Sequence, residues 1–206
     1  MIEIDRLKLK AKYGDEKIFV IPAQLGNDIP DKFTKIKHSD SIFSAYDTKG
    51  IYQYRADVEY NNAWYQIIPY FYLTNVDKTK FYVGKRLSGD SRLVDKLSLG
   101  FGGHIDSSDG SINVVKNALY REMNEELNVT QDIDFKYQGT VKDIRSNTSE
   151  HLGLVFSAKV NTRNISIKET DSLSGQWMTL EQLVKNYTKF EGWSKFIIDY
   201  LYESNR

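Results

Sequence analysis

The chain has 206 residues, 40% of them hydrophobic and 13% aromatic, which is enough apolar material for one globular domain with a sizeable core. Lysine plus arginine and aspartate plus glutamate both number 28, so the zero net charge gives no electrostatic basis for a dedicated nucleic-acid-binding protein. The absence of cysteine excludes disulfides, thiolate metal sites and cysteine nucleophiles.

The first sixty residues, 1–60, are predicted to form an extension that precedes a core domain of residues 61–206. They contain one short β-like run, residues 17–21, followed by a polar, turn-rich segment over residues 25–47. The start of the chain lacks the apolar core of a signal peptide, and no apolar run reaches the length of a membrane span. We therefore expect a cytoplasmic protein with no membrane partner.

The core domain begins with strong strand signals. Residues 64–74 and 80–86 are rich in aromatic and β-branched side chains, and the link 75–79 between them is typical of a hairpin. A strand-like run over residues 97–103 ends in glycines, and residues 111–127 then show helical spacing.

The later part of the chain is predicted to contain two strands, a strand that enters a helix, and an amphipathic helix: residues 135–144, 151–160, 176–183 and 193–201. Thr179 is the expected N-cap of the penultimate helix, with Gln182 as its capping-box partner. A mixed sheet with one helix in its middle and helices at its end predicts an α/β or α+β architecture.

Three glutamates lie on the helix predicted in the middle of the chain. At about 100° per residue, Glu122 and Glu126 fall on the same side as Val115 and Leu119, and Glu125 lies at the edge of that apolar side. A solvated run of charges would instead place its acids opposite the apolar stripe.

Two interpretations of these acids stay open from the helix alone. Carboxylates that are close together and partly desolvated resist ionisation, and a divalent cation with oxygen ligands, such as Mg²⁺ or Mn²⁺, removes that penalty. The alternative is an ordinary charged surface, in which Arg121 pairs with Glu125 four residues later.

A glycine turn precedes this helix. Gly102 and Gly103 permit a tight turn and close approach of the backbone to a ligand, so a backbone carbonyl is a candidate metal ligand. In the polar loop that follows, Ser111 is the expected helix cap, and Asp106 and Asp109 are interpreted as turn residues rather than ligands.

This combination resembles the Nudix hydrolase family. The family signature is a glycine, five residues, a glutamate, seven residues, and then REUxEExGU, where U is aliphatic. Gly103 matches the opening glycine, and Arg121, Glu122, Glu125 and Glu126 match the second half within REMNEELNV. The resemblance covers residues 64–183 at the level of motifs and does not extend to residues 1–60.

The resemblance implies an α/β/α sandwich with a mixed sheet, and a metal site built from the Gly103 carbonyl with Glu122, Glu125 and Glu126. It also implies Mg²⁺ or Mn²⁺ as cofactor and hydrolysis of a nucleoside diphosphate linked to another moiety. Such a pyrophosphatase has a small-molecule nucleotide substrate, and because these enzymes are often dimers a homodimer is an open expectation.

The sequence departs from the signature in three places. The stretch from Gly103 to Arg121 is four residues longer than the signature allows. Counting back from Arg121 places Asn113 at the first glutamate position. Asn128 replaces the late glycine, which is a mild change because asparagine also tolerates the left-handed conformation that ends helices.

Family members often carry a further loop acid a few residues before a tryptophan-led strand. Here Glu169 is the candidate, with Asp171 as the alternative, and such an acid completes the metal shell or acts as the general base. Glu150 beside His151 is a third candidate for that role.

Arg86 and Arg92 are candidates for binding substrate phosphate, because a guanidinium suits phosphate geometry. The interpretation of both as ordinary surface arginines is the favoured one. Strand aromatics could stack on a base, although such residues more often fill a core: Tyr52, Tyr54, Trp64 and Tyr65.

The main alternative to a hydrolase is a non-catalytic Nudix-like module that binds a nucleotide or supports regulation. Asn113 and the longer loop favour it. An isopentenyl-diphosphate isomerase is disfavoured, because that chemistry in the related fold uses a cysteine and this chain has none.

Overall fold

The computed structural model describes residues 5–35, 49–88, 94–143, 150–168 and 170–206. In these ranges the chain forms twelve strands: β1 Lys17–Pro22, β2 Phe33–Lys35, β3 Ile51–Tyr54, β4 Trp64–Thr74, β5 Lys80–Arg86, β6 Leu97–Ser98, β7 Gly100–Gly102, β8 Leu127–Val129, β9 Lys136–Val141, β10 His151–Lys159, β11 Ile165–Ile167 and β12 Leu173–Thr179. It also forms five α-helices in the same ranges: α1 Arg6–Tyr13, α2 Arg55–Val58, α3 Val114–Glu126, α4 Leu180–Lys185 and α5 Gly192–Ser204.

Ten of these strands form one mixed sheet. Its main path is β12-β5-β4-β10-β9-β2, to which β1 and β7 add by pairing with β4, β3 by pairing with β1, and β6 by pairing with β5. Strands β4 and β10 run parallel over nine residue pairs, whereas the other pairs are antiparallel. Strands β8 and β11 form a separate two-stranded sheet.

Helices cover both faces of the large sheet because its central strand alternates between two cores. Ile67 and Phe71 of β4 pack in the cluster that contains Leu119 of helix α3. Ile68 and Tyr70 pack in the opposite cluster, which contains residues of α4 and α5 such as Ile197. This period-two burial confirms the predicted α/β architecture and its α/β/α layers.

Most of the predicted local elements are present. The link 75–79 closes a hairpin in which Leu73 pairs with Tyr82. Thr179 and Gln182 form the expected capping box at the start of α4.

The predicted start of helix α3 is wrong. The helix begins at Val114 rather than at residue 111, and its N-cap residue is Asn113, with φ 55° and no side-chain capping bond. Asparagine tolerates this left-handed conformation better than most residues, so Ser111 does not cap the helix.

The proposed division at residue 60 stays a prediction. Strands of the first sixty residues are nevertheless hydrogen-bonded into the sheet of the remaining chain: β1 pairs with β4, and β2 pairs with β9. The extension therefore packs on the core through backbone pairing.

Candidate active site

Arg121 organises the loop and the helix that carry the candidate metal ligands. Its Nε and Nη2 donate to the two carboxylate oxygens of Asp109 at 3.0 and 2.9 Å, and Nη2 also donates to the His104 carbonyl at 2.7 Å. Its Nη1 contacts Glu122 Oε1 at 2.7 Å and Glu125 Oε2 at 3.1 Å. One guanidinium therefore ties the glycine turn to the acidic helix in a planar, bidentate geometry.

Asp109 is the acid of the loop that pairs with Arg121. It lies six residues after Gly103, where the signature has its first glutamate, and its side chain is buried against Arg121. The four extra residues consequently fall between Asp109 and the helix. Counting back from Arg121 instead gives Asn113, which is the N-cap residue of α3, whereas the residue that contacts Arg121 is Asp109. Asp109 also acts as the expected turn residue, because its carboxylate accepts a hydrogen bond from the Asp106 N–H at 3.0 Å.

Glu122 is fixed beside the backbone of the glycine turn. A Cβ built on Gly103 would meet the Glu122 carboxylate, so a side chain at this position would displace that carboxylate from the backbone of the turn. Burial raises the pKa of the Glu122 carboxyl, while the hydrogen bond and charge of Arg121 act in the opposite direction. A buried carboxylate with one compensating cation is well suited to an additional positive ion.

The three glutamates of helix α3 differ in the exposure of their side chains. The Glu122 side chain is 12% exposed and the Glu125 side chain 54% exposed, and Glu126 is half-buried. This order confirms the helical-face prediction that Glu122 and Glu126 lie towards the apolar side.

The chemistry of these residues fits Mg²⁺ or Mn²⁺. They supply hard oxygen donors and a glycine backbone pressed against a desolvated carboxylate. Within the described ranges, no three histidine, aspartate or glutamate side chains converge as a ready-made metal cage. Arg121 Nη1 lies between the carboxylates of Glu122 and Glu125 and supplies part of the positive charge there.

A cleft of about 670 Å³ opens next to this site. The turn glycines Gly102 and Gly103 and the side chain of Glu126 contribute to its wall. Of the candidate metal residues, Gly103 and Glu126 therefore border the cleft, whereas Glu122 and Glu125 are not part of its lining. Trp193 and Gly192 of the C-terminal helix also line the cleft.

A histidine pair, His104 and His151, lines the cleft. His104 Nε2 lies 2.6 Å from Gln66 Oε1 and 3.2 Å from His151 Nε2. Burial, followed by the charges of Arg55, His151 and Arg121, holds the pKa of His104 well below its usual range. His104 is therefore neutral near pH 7 and is able to donate one hydrogen bond to Gln66.

The remaining sequence candidates have different positions. Arg86 lines the cleft. Arg92 and Glu169 lie outside the described residues. Asp171 is exposed, and Glu150 is buried next to His151.

The aromatic residues considered for base stacking are not in the cleft lining: Tyr52, Tyr54, Trp64 and Tyr65.

The first sixty residues contribute to the site in ways that the sequence did not indicate. The Tyr52 hydroxyl donates to the Gly110 carbonyl at 2.8 Å, and the Phe19 N–H donates to the Ile105 carbonyl at 2.8 Å. Arg55 lines the cleft while pairing with Glu16. These contacts join residues far apart in the chain, and no local pattern marks them.

The fold is that of the Nudix hydrolases. Tm1382, a candidate Nudix hydrolase of known structure, superposes with a TM-score of 0.76 and 26% identity, over 90% of this chain and 98% of that one. Residues 61–206 are less than three quarters of the chain, so this match extends into the first sixty residues. The NUDIX domain of NrtR from Shewanella oneidensis, solved with ADP ribose, matches with a TM-score of 0.53 over 69% of this chain and 89% of that one. At 14% identity, that likeness shows the fold alone.

Protein YmaB of Bacillus subtilis is 30% identical over 156 residues, which are 71% of this chain and 76% of that protein. No family model matches the chain. Together with the Gly103 turn and the Arg121–Glu126 arrangement, these relatives show that the chain belongs to the Nudix hydrolase family. In the part of the chain that the structure describes, the helices are too short or too polar to cross a membrane.

Proposed function

We propose that this protein is a metal-dependent pyrophosphohydrolase that cleaves the diphosphate linkage of a nucleoside diphosphate derivative. The observation that carries the proposal is the contact of Glu122 with Gly103 beside a cleft that Glu126 also lines. Arg121 holds this contact in place through Asp109 and the His104 carbonyl.

In this proposal Glu122, Glu125 and Glu126, with the Gly103 carbonyl, hold Mg²⁺ or Mn²⁺. The ion would neutralise charge on the diphosphate and lower the pKa of a bound water. Arg121 keeps the carboxylates oriented, and Asp109 keeps Arg121 in its planar, bidentate geometry. The glycine turn leaves room for phosphate next to the backbone.

In this proposal a carboxylate accepts the proton of the attacking water, and it belongs either to one of the helix glutamates or to Glu169. Arg86 and Arg92 are proposed to contact substrate phosphate, and the lining of the cleft by Arg86 supports the first of these. The first sixty residues are proposed to complete the site rather than to act as a separate unit, since Arg55 lines the same cleft. A homodimer remains part of the proposal.

ADP-ribose is the first substrate to test, because the NUDIX domain of NrtR was solved with it. The protein is incubated with ADP-ribose and a panel of nucleoside diphosphate derivatives, with Mg²⁺, Mn²⁺ or chelator. Metal-dependent release of a nucleoside monophosphate is the expected result.

The double variant Glu125→Gln, Glu126→Gln should lose turnover by about 100-fold or more and remain folded, since both replacements keep the side-chain volume. Glu203→Gln, an exposed glutamate on α5, is the matched control and should keep full turnover. Tight binding without turnover across the panel, unchanged by chelator and by the double substitution, would instead establish the non-catalytic alternative.

A further inference from the structure

Arg86 and Lys96 form a cross-strand pair that faces the cleft. In the β5–β6 ladder Gly84 pairs with Ser98 and Lys85 with Leu97, and the Arg86 N–H donates to the Lys96 carbonyl at 3.2 Å. The Arg86 carbonyl accepts from the Asp95 N–H at 2.9 Å, so Asp95 and Lys96 together oppose Arg86 in a bulge at the end of this ladder. Arg86 and Lys96 line the cleft together with Gly84 and Ser98, which places these two cationic residues on the cleft side of the hairpin.

This pair brings two positive charges together. Residues directly opposite each other in an antiparallel pair have Cβ atoms roughly 5 Å apart, and like charges at such positions destabilise the pairing. Neither Arg86 nor Lys96 forms an ion pair with an acid of the described residues, whereas Lys85, on the other face of the same strand, pairs with Asp95 at 2.8 Å. Among the described residues, the hairpin therefore pairs its outward cation with an acid but not its two cleft cations.

Two of the candidate metal residues line the same cleft as this cationic pair. Glu126 and Gly103 line the same cleft as Arg86 and Lys96, so a single ligand in the cleft can meet both a candidate metal carboxylate and the two cations. A diphosphate needs both, because a divalent ion shared with carboxylates leaves phosphate oxygens with negative charge to be matched.

We propose that Arg86 and Lys96 form a subsite that binds a phosphate group of the substrate and does so without metal. This inference rests on the proposed function for the identity of the substrate, and it adds Lys96 as a binding residue. The bound anion removes the repulsion between the two side chains. The pair therefore favours ligand binding at the expense of the stability of the ligand-free protein.

The test uses inorganic pyrophosphate as the probe, in buffer freed of divalent metal by a chelating resin. Calorimetric affinity and the thermal unfolding midpoint are measured for the wild type, Arg86→Gln, Lys96→Gln and the control Lys85→Gln. Each cleft variant should weaken pyrophosphate binding about tenfold, the loss of one charge-assisted contact. Each should also raise the midpoint of the ligand-free protein, because one like charge is removed.

Lys85→Gln should leave the affinity within about twofold of the wild type, since its side chain lies on the other face. Unchanged affinity in both cleft variants, an equal loss in the control, or a lower ligand-free midpoint in both cleft variants would overturn the proposal. The assay needs neither metal nor turnover, so it tests the phosphate subsite separately from the proposed hydrolase activity. Binding that depends on Arg86 and Lys96 in a protein that hydrolyses no diphosphate would keep the subsite and remove the hydrolase.

Discussion

Arg121 is the residue on which the geometry of the candidate site depends. Its five donor contacts are divided between the loop, through Asp109 and His104, and the helix, through Glu122 and Glu125. Loss of the loop contacts would free the guanidinium to follow the exposed Glu125 side chain. The glycine turn and Glu122 would then no longer be held in register.

Asp109→Asn tests this dependence at the scale of one residue. The amide keeps the size of the side chain but accepts from only one oxygen, so the bidentate contact with Arg121 is lost. Turnover should fall about 10- to 100-fold, the usual effect of removing a partner that orients a ligand, and the KM should change little.

Asp106→Asn is the matched control for this prediction. Its carboxylate lies 3.7 Å from Arg121 Nη2 and is more exposed, so turnover should stay within a few-fold of the wild type. Equal losses in the two variants would show that the charge of the loop, and not the Asp109 contact, matters.

At the scale of elements, the first strands of the chain brace the enlarged loop. The backbone of β1 reaches the loop at Ile105, and Ile18 forms an isolated bridge with Asp106. Tyr52 of β3 packs edge-on against Phe19 with ring centroids 5.4 Å apart, and its hydroxyl holds Gly110 at the start of the inserted residues. Residues of the first sixty therefore contact and support the loop that carries the insertion.

Tyr52→Phe removes only the hydroxyl that holds the inserted segment. The loop should become less ordered, so half-maximal activity should require several-fold more Mg²⁺, while the maximal rate at saturating Mg²⁺ changes little. Burial, together with the charges of Asp109 and Asp106, raises the pKa of Tyr52 to about 12, so the hydroxyl remains a donor across the assay range. Tyr54→Phe, an exposed tyrosine on the same strand, should behave as the wild type. If the Mg²⁺ concentration for half-maximal activity is the same in the wild type, Tyr52→Phe and Tyr54→Phe, the Tyr52 hydroxyl does not support the loop.

At the scale of the whole molecule, one sheet separates two cores and places the cleft at their boundary. Helix α3 packs in one core and α5 in the other, and both contribute residues to the cleft. Tyr70 connects the two sides: its hydroxyl contacts Glu191 at 2.9 Å and accepts from the Gly100 N–H at 3.0 Å. The folded arrangement, rather than any single element, holds the carboxylates near the cleft.

A ligand that binds only this arrangement should stabilise the whole protein. Adding Mg²⁺ to metal-free protein should raise the thermal unfolding midpoint by an amount that grows with concentration, as mass action requires. The variant Glu122→Gln, Glu125→Gln, Glu126→Gln should stay folded and show no such rise. Glu203→Gln should respond as the wild type, and a full response in the triple variant would place the bound ion elsewhere.

The sequence by itself determined the elements whose signals are local. The 3.6-residue period placed Glu122 and Glu126 towards the apolar side of a helix, and the aromatic and β-branched residues of β4 predicted a strand. The capping box at Thr179 was equally readable, because its partner is three residues away. The ordered glycine turn and acidic run also identified the family.

Only the tertiary structure decided which distant residues meet. Asp109 pairs with Arg121 across an insertion whose position a count of residues cannot fix. Lys96 becomes the neighbour of Arg86 through the register of a hairpin, and Tyr52 reaches Gly110 through the pairing of β1 with β3 and β4. Periodicity reports the conformation of a segment and the face that it buries. The partner across that face depends on the path of the whole chain, which no local pattern contains.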